Sequence, residues 1–108
     1  MNTTTATPAK VSTIDINALS WFDKVNGNSY FAGTITVNYG TPEAQTLKMP
    51  FQYGYGDQYE HEAGNALHEA GIIKLDDRQS LWRYCEENGI ILRKSKHTGC
   101  KKSELKNI

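Results

Sequence analysis

The sequence predicts an α+β domain: a three-stranded antiparallel meander, a short C-terminal strand, and two helices packed on one face of the sheet. Three observations predict it. Apolar residues alternate with polar ones through residues 29–39 and again through 47–53, the two-residue period of half-buried strands. An Asn26-Gly27 pair stands between two strand-like runs, a strong short-range hairpin signal. After Gly54-Tyr55-Gly56 the apolar spacing changes to the three- and four-residue steps of a helix. The chain has 108 residues, enough for one domain, and its 38% hydrophobic content allows a core with flexible ends.

Order is expected from Val11 or Ile14. The first strand is read at 19–25, from Leu19 through Trp21 and Phe22 to Val25. The second runs from Ser29 to Tyr39, with Phe31, Ile35, Val37 and Tyr39 on its apolar face. Gly40-Thr41-Pro42-Glu43 makes a turn. Leu47, Met49, Phe51 and Tyr53 then alternate with Lys48, Pro50 and Gln52. Pro50 has no N–H to donate, so this strand is an edge or is bulged there. A lone meander is unstable in water, so helices must cover its apolar face. Asp57 followed by Glu60 predicts a capping box at the first helix. Tyr59, Ala63, Ala66, Leu67 and Ala70 form its stripe, Gly64 interrupts it, and Gly71 ends it. Asp76 or Asp77 caps a second helix that runs to Asn88, with Leu81, Trp82 and Cys85 facing the core. Gly89 closes it, and Ile90-Ile91-Leu92 is the last strand.

The expected domain is residues 11–93. Residues 1–10 have no large apolar side chain after Met1 and read as a disordered N-terminal tail, and residues 94–108 read as a basic flexible tail. Formal net charge is zero, which argues against a strongly basic nucleic-acid binder and a strongly acidic mimic alike. The charge is uneven along the chain. Residues 57–89 carry three cations against eight carboxylates, a net of −5, and residues 90–108 carry six cations against one carboxylate, a net of +5. No apolar run is long enough to span a bilayer, no signal peptide is visible, and two cysteines fit a reducing compartment, so a cytoplasmic protein without membrane contact is expected.

No catalytic set can be assembled. No serine sits in a G-x-S-x-G elbow, and no carboxylate pair falls at apolar positions that would raise a pKa. The protein is therefore read as a non-enzyme. His61 and His68 are seven apart, about 10 Å along a helix, too far for one ion. His97 and Cys100 have half the spacing of a metal site, with only Cys85 to add, so no metal and no cofactor are expected. Gly54-Tyr55-Gly56 resembles a phosphate cradle but has Tyr59 where a third glycine belongs.

Two stretches, WFDKVNGNSY at 21–30 and PFQYGYGDQY at 50–59, carry a family likeness. Together they resemble a group of small phage and prophage proteins without an assigned activity, over roughly residues 19–73. The resemblance implies a mobile-element source and a cytoplasmic protein of the host cell that binds a host or phage protein. Inhibition of a host defence system such as CRISPR is one such role. From the residues themselves, the expected protein-binding surface is Tyr53, Tyr55, Asp57 and Tyr59, because tyrosine offers a large contact area with few rotors to freeze. The alternative is a nucleic-acid-binding domain that uses Phe22, Tyr30, Arg93, Lys94, Lys96, Lys101 and Lys102, where rings stack bases and cations neutralise phosphates. A homodimer through the Pro50-containing edge is left open.

Overall fold

A computed structural model describes residues 11–54, 56–75 and 79–108. The protein is α+β. Its elements in chain order are β1 (Thr13–Asp23), β2 (Asn28–Val37), β3 (Gln45–Tyr53), α1 (Gln58–Glu69), α2 (Leu81–Glu87), β4 (Ile91–His97) and α3 (Lys102–Lys106). The sheet order is β3-β2-β1-β4. β1–β2 and β2–β3 are antiparallel, as the meander reading expects, but β4 joins β1 in parallel. β3, β1 and β4 thus point the same way. A chain leaving β3 must recross the sheet before it can enter β4, and α1 and α2 make that crossing.

The pleat sorts the side chains onto two faces. Ile14, Ile16 and Ala18 of β1, Phe31, Ile35 and Val37 of β2, and Met49 of β3 are buried on one face. Tyr59, Ala63 and Leu67 of α1 and Leu81 and Cys85 of α2 close over them as one cluster. The opposite face carries Asp15, Asn17 and Trp21 of β1, Tyr30 and Thr34 of β2, and Lys48 of β3, in registers that keep them together. Ala32 and Leu105 are buried as well, yet neither belongs to the main cluster. They mark a second, smaller packing site under α3.

Several elements differ from the sequence reading for local reasons. β1 is eleven residues long and begins at Thr13, because its first half pairs on both sides. The Asn26-Gly27 turn is a four-residue loop: Asp23 and Asn28 are the last pair. The Asp23 carboxylate holds that loop by accepting from the Val25 and Asn26 backbone N–H groups and from the Asn26 side chain. The Asn26 side-chain bond is the leading cause that keeps the Asp23 carboxyl below its ordinary pKa. Tyr39 leaves the apolar face because Asn38 adopts a left-handed conformation, φ 56°, and turns the chain outward. The buried Asn38 side chain accepts the Ser12 N–H at 2.7 Å. Pro50 is both on an edge and in a bulge, since the register shifts by one residue between Phe31 and Gly33.

The capping box at α1 does not form. Asp57 makes no side-chain cap bond, and Glu60 turns instead to Lys94 of β4. Ala70 lies beyond the helix and is exposed. Gly64 has a packing reason: an added Cβ would lie 3.2 Å from Leu75 Cδ1 and 3.4 Å from Leu81 Cβ. α2 is capped by Ser80, whose hydroxyl accepts the Arg83 N–H; Asp76 and Asp77 lie outside the described residues. Trp82 is half exposed, not in the core stripe, while Leu81 and Cys85 are buried as expected. The domain boundary at Arg93 is also revised. β4 continues to His97, and Lys102–Lys106 form a helix whose Leu105 is 1% exposed, so residues 94–108 carry defined structure rather than a featureless tail.

Gly33 is the tightest position in the sheet. A Cβ there would stand 2.2 Å from the Asn17 carbonyl oxygen, a backbone atom that cannot step aside. Gly33→Ala is expected to lower unfolding stability by about 3 kcal/mol, the upper end for overpacking, as measured by urea denaturation.

Candidate interaction surfaces

The glycine corner between β3 and α1 is built to bring a helix onto the sheet quickly. Gly54 donates its N–H to the Ser29 carbonyl at 3.0 Å. Its missing Cβ leaves room for the Phe31 ring, whose Cε1 would otherwise be 2.6 Å away. Gly56 takes φ 64°, and its carbonyl accepts from Lys96 Nζ at 2.9 Å. The same ammonium lies 5.6 Å from the Tyr59 ring centre. The corner is therefore pinned from β4.

The four expected contact residues separate here. Tyr53 is 58% exposed and meets Tyr30 edge-on, ring centres 5.8 Å apart. Asp57 is exposed. Tyr55 lies outside the described residues. Tyr59 is 8% exposed and packs inward; burial is the leading cause that raises its phenol pKa. It belongs to the core, and no outward aromatic surface can include it.

Tyr53 instead shares one end of the sheet with side chains outside the expected protein-contact set. Phe22, at the end of β1, is 52% exposed, and Val25, in the loop that follows, is 92% exposed. Phe22 and Tyr53 project from opposite faces and flank the end of the β1–β2 hairpin. Val25 carries a readable signal, since a β-branched apolar residue in a turn has no core to enter.

The residues of the nucleic-acid alternative do not form one surface. Phe22, Lys94 and Lys96 lie on the face that α1 and α2 cover, whereas Tyr30 and Arg93 lie on the other. Lys94 pairs with the buried carboxylate of Glu60, and that hydrogen bond is the leading cause that raises its pKa. Arg93 makes a two-point contact to Asp15, at 2.6 and 3.0 Å, which likewise raises its pKa. Neither cation is an unengaged phosphate ligand. Lys101 and Lys102 begin α3, where the Lys101 N–H is accepted by Glu104.

Tyr30 is not a solitary ring. Trp21, Tyr30 and Phe51, from three adjacent strands, form a compact cluster, with Trp21–Tyr30 stacked at 5.4 Å, Tyr30–Phe51 stacked at 5.1 Å and Trp21–Phe51 tilted at 6.3 Å. α3 lies over this cluster. Lys102 Nζ is 5.5 Å from the Trp21 ring and Lys106 Nζ is 5.9 Å from the Phe51 ring. Leu105 falls three residues after Lys102, on the same side of the helix, and is the helix's buried residue. One leucine contributes about 1.5–3 kcal/mol by burial. Each exposed cation–ring contact adds about 0.5–1 kcal/mol. The attachment is thus weak on the scale of a whole domain.

The remaining candidates hold less. A cleft of about 360 Å³ between α1 and α2 is lined by Asp57, Glu60, His61, Asn65, Trp82 and Lys94, among others. Its two carboxylates would repel a phosphate. Among the described residues, no three His, Cys, Asp or Glu side chains gather in metal-holding geometry. No helix among them is long and apolar enough to cross a membrane. His68 accepts the Leu75 N–H through Nδ1 at 3.0 Å and so fixes the link after α1. Comparisons with protein families, curated proteins and solved structures find no match for this chain.

Two expectations test this arrangement. Cys85 is buried and its thiol is pushed up to about 11, chiefly by desolvation, whereas Cys100 is partly exposed. Iodoacetamide at neutral pH, read by peptide mass spectrometry, should modify Cys100 and leave Cys85 until the protein unfolds. The second concerns Lys94. Its folded-state pKa lies above the unfolded value, so the pair's contribution is fully present below the ordinary lysine pKa of about 10.4 and is lost as pH rises through the raised value. Lys94→Met should therefore show a flatter loss of stability on the alkaline side than the parent in urea titrations.

Proposed function

We propose that this protein is a non-enzymatic binding module whose partner is another protein, engaged at the hairpin end of the sheet. The observation that carries the reading is the exposure of Phe22, Val25 and Tyr53, large side chains that flank the hairpin end of the sheet on both of its faces. Exposed apolar groups with a polar rim are characteristic of protein interfaces. Asp57, four residues after Tyr53, is an exposed charge at the same glycine corner. By analogy with small phage proteins that lack catalytic residues, the partner is a host or phage protein, with a nuclease of host defence as one instance.

A second reading, binding of nucleic acid, is favoured by a different observation. Part of the charge split along the chain becomes a split across the sheet, although Lys94 and Lys96 lie on the helical side. Glu62 and Glu69 of α1 and Glu86 and Glu87 of α2 stand on the helical side, while Lys101, Lys102 and Lys106 stand with α3 on the other. The acidic segment therefore does not lie in the path of a phosphate backbone that approaches α3.

Affinity capture from host cells tests the first reading. Tyr53→Ala and Phe22→Ser should leave the melting temperature nearly unchanged and reduce recovery of the captured protein at least about tenfold, the loss of roughly 1.4 kcal/mol at a contact residue. A partner recovered equally by both variants, or none recovered by the parent, overturns it.

A further inference from the structure

We propose that the Trp21–Tyr30–Phe51 cluster is a stacking platform for unpaired nucleobases, and that α3 covers it in the free protein as a displaceable strap. The proposal rests on the nucleic-acid reading above and gives it a site. Three features carry it. First, the rings gather into one cluster on the same face of β1, β2 and β3, with Tyr30 stacked on both neighbours and Trp21 and Phe51 6.3 Å apart. A stacked cluster on a sheet face can extend its stack onto a base without regard to sequence, because every base presents a π surface.

Second, the cover is lightly held. α3 has five residues and one buried anchor, Leu105. It is joined to β4 through Thr98–Lys101, where Gly99 takes φ 73° and the Cys100 N–H is accepted by Ser20. That bond fixes the linker at β1 and leaves the helix beyond it to swing. Third, the cover carries the charge that the ligand needs. Among the described residues, Lys101, Lys102 and Lys106 have no carboxylate within ion-pair distance, and two of them already sit over the rings. When the helix lifts, these ammonium groups stay tethered beside the exposed rings, where a strand's phosphates would run.

The test uses the full chain and three variants, Leu105→Ala, Leu105→Asp, and Leu105→Asp combined with Trp21→Ala. Binding of a fluorescent oligothymidine and of a blunt duplex is followed by anisotropy across a salt series, with circular dichroism to establish that each variant is folded. Removing the anchor raises the fraction of open protein, and apparent affinity rises with that fraction. Leu105→Asp should bind the single strand roughly tenfold more tightly than the parent, Leu105→Ala less so, and Trp21→Ala should cancel the gain. The duplex should gain nothing.

Salt-dependent binding by the parent that neither Leu105 variant strengthens would overturn the strap while leaving the nucleic-acid reading intact. A gain that survives Trp21→Ala would overturn the platform. Absence of binding by every form at low salt would remove both. Should Leu105→Asp unfold, Leu105→Ala and quenching of Trp21 fluorescence in a Trp82→Phe background decide the matter by the same criteria.

Discussion

The parallel pairing of β1 with β4 is the constraint from which most of the molecule follows. It makes β1 an interior strand, so Ile14, Ile16 and Ala18 sit in the most shielded part of the sheet. It obliges the chain to travel from one sheet edge to the other between β3 and β4, which places α1 and α2 on a single face. It also lays Lys94 and Lys96 beneath α1, where they hold Glu60 and the Gly56 carbonyl. The crossing is thereby locked at both its sheet and its helix side. A hydrophobic layer alone would seat the helices, but it would not fix their direction, because apolar contact is not directional.

The same pairing decides what lies on the far face. Having come up beside β1, the chain emerges from β4 at the end where Trp21 stands, and Cys100 bonds to Ser20 before α3 begins. The protein thus has two packing sites of unequal size. The large one is mainly aliphatic, with Phe31 and Tyr59 among its members. The small one is aromatic, roofed by a single leucine and rimmed by lysines. The first is shared by the sheet, α1 and α2, whereas the proposed lifting of α3 from the second would disturb only a few residues.

Much of the architecture was legible in the residues. Two-residue alternation identifies β2 and β3, helical spacing identifies Ala63 and Leu67 as core, and the proline at 50 marks both an edge and a bulge. What failed depended on distant partners. Glu60 looks like a cap in one dimension, but Lys94, 34 residues away, competes for it with a full charge. Trp82 fits a helical stripe, yet α2 is only seven residues long and Leu81 and Cys85 already fill its contact. The terminal helix was missed because one leucine among lysines shows no period. Of the site, Tyr59 reads two ways, as part of the α1 stripe and as part of the contact surface, and the structure buries it with the stripe. Tyr53 alternates with the apolar residues of β3, and the bulge beside Pro50 turns it to the opposite face from Met49.

Asp15 and Arg93 are neighbours in space but 78 positions apart in the chain. A nascent polypeptide can zip β1, β2 and β3 soon after they leave the ribosome, since those contacts span short loops. The fourth strand arrives only after both intervening helices have been made. Until then β1 is an unpartnered border with a row of unsatisfied amides and carbonyls, the kind of template that recruits other extended chains. Loop closure over that distance costs more entropy than closing the short β1–β2 and β2–β3 loops. The border of β1 is therefore open to mispairing until β4 has docked beside it.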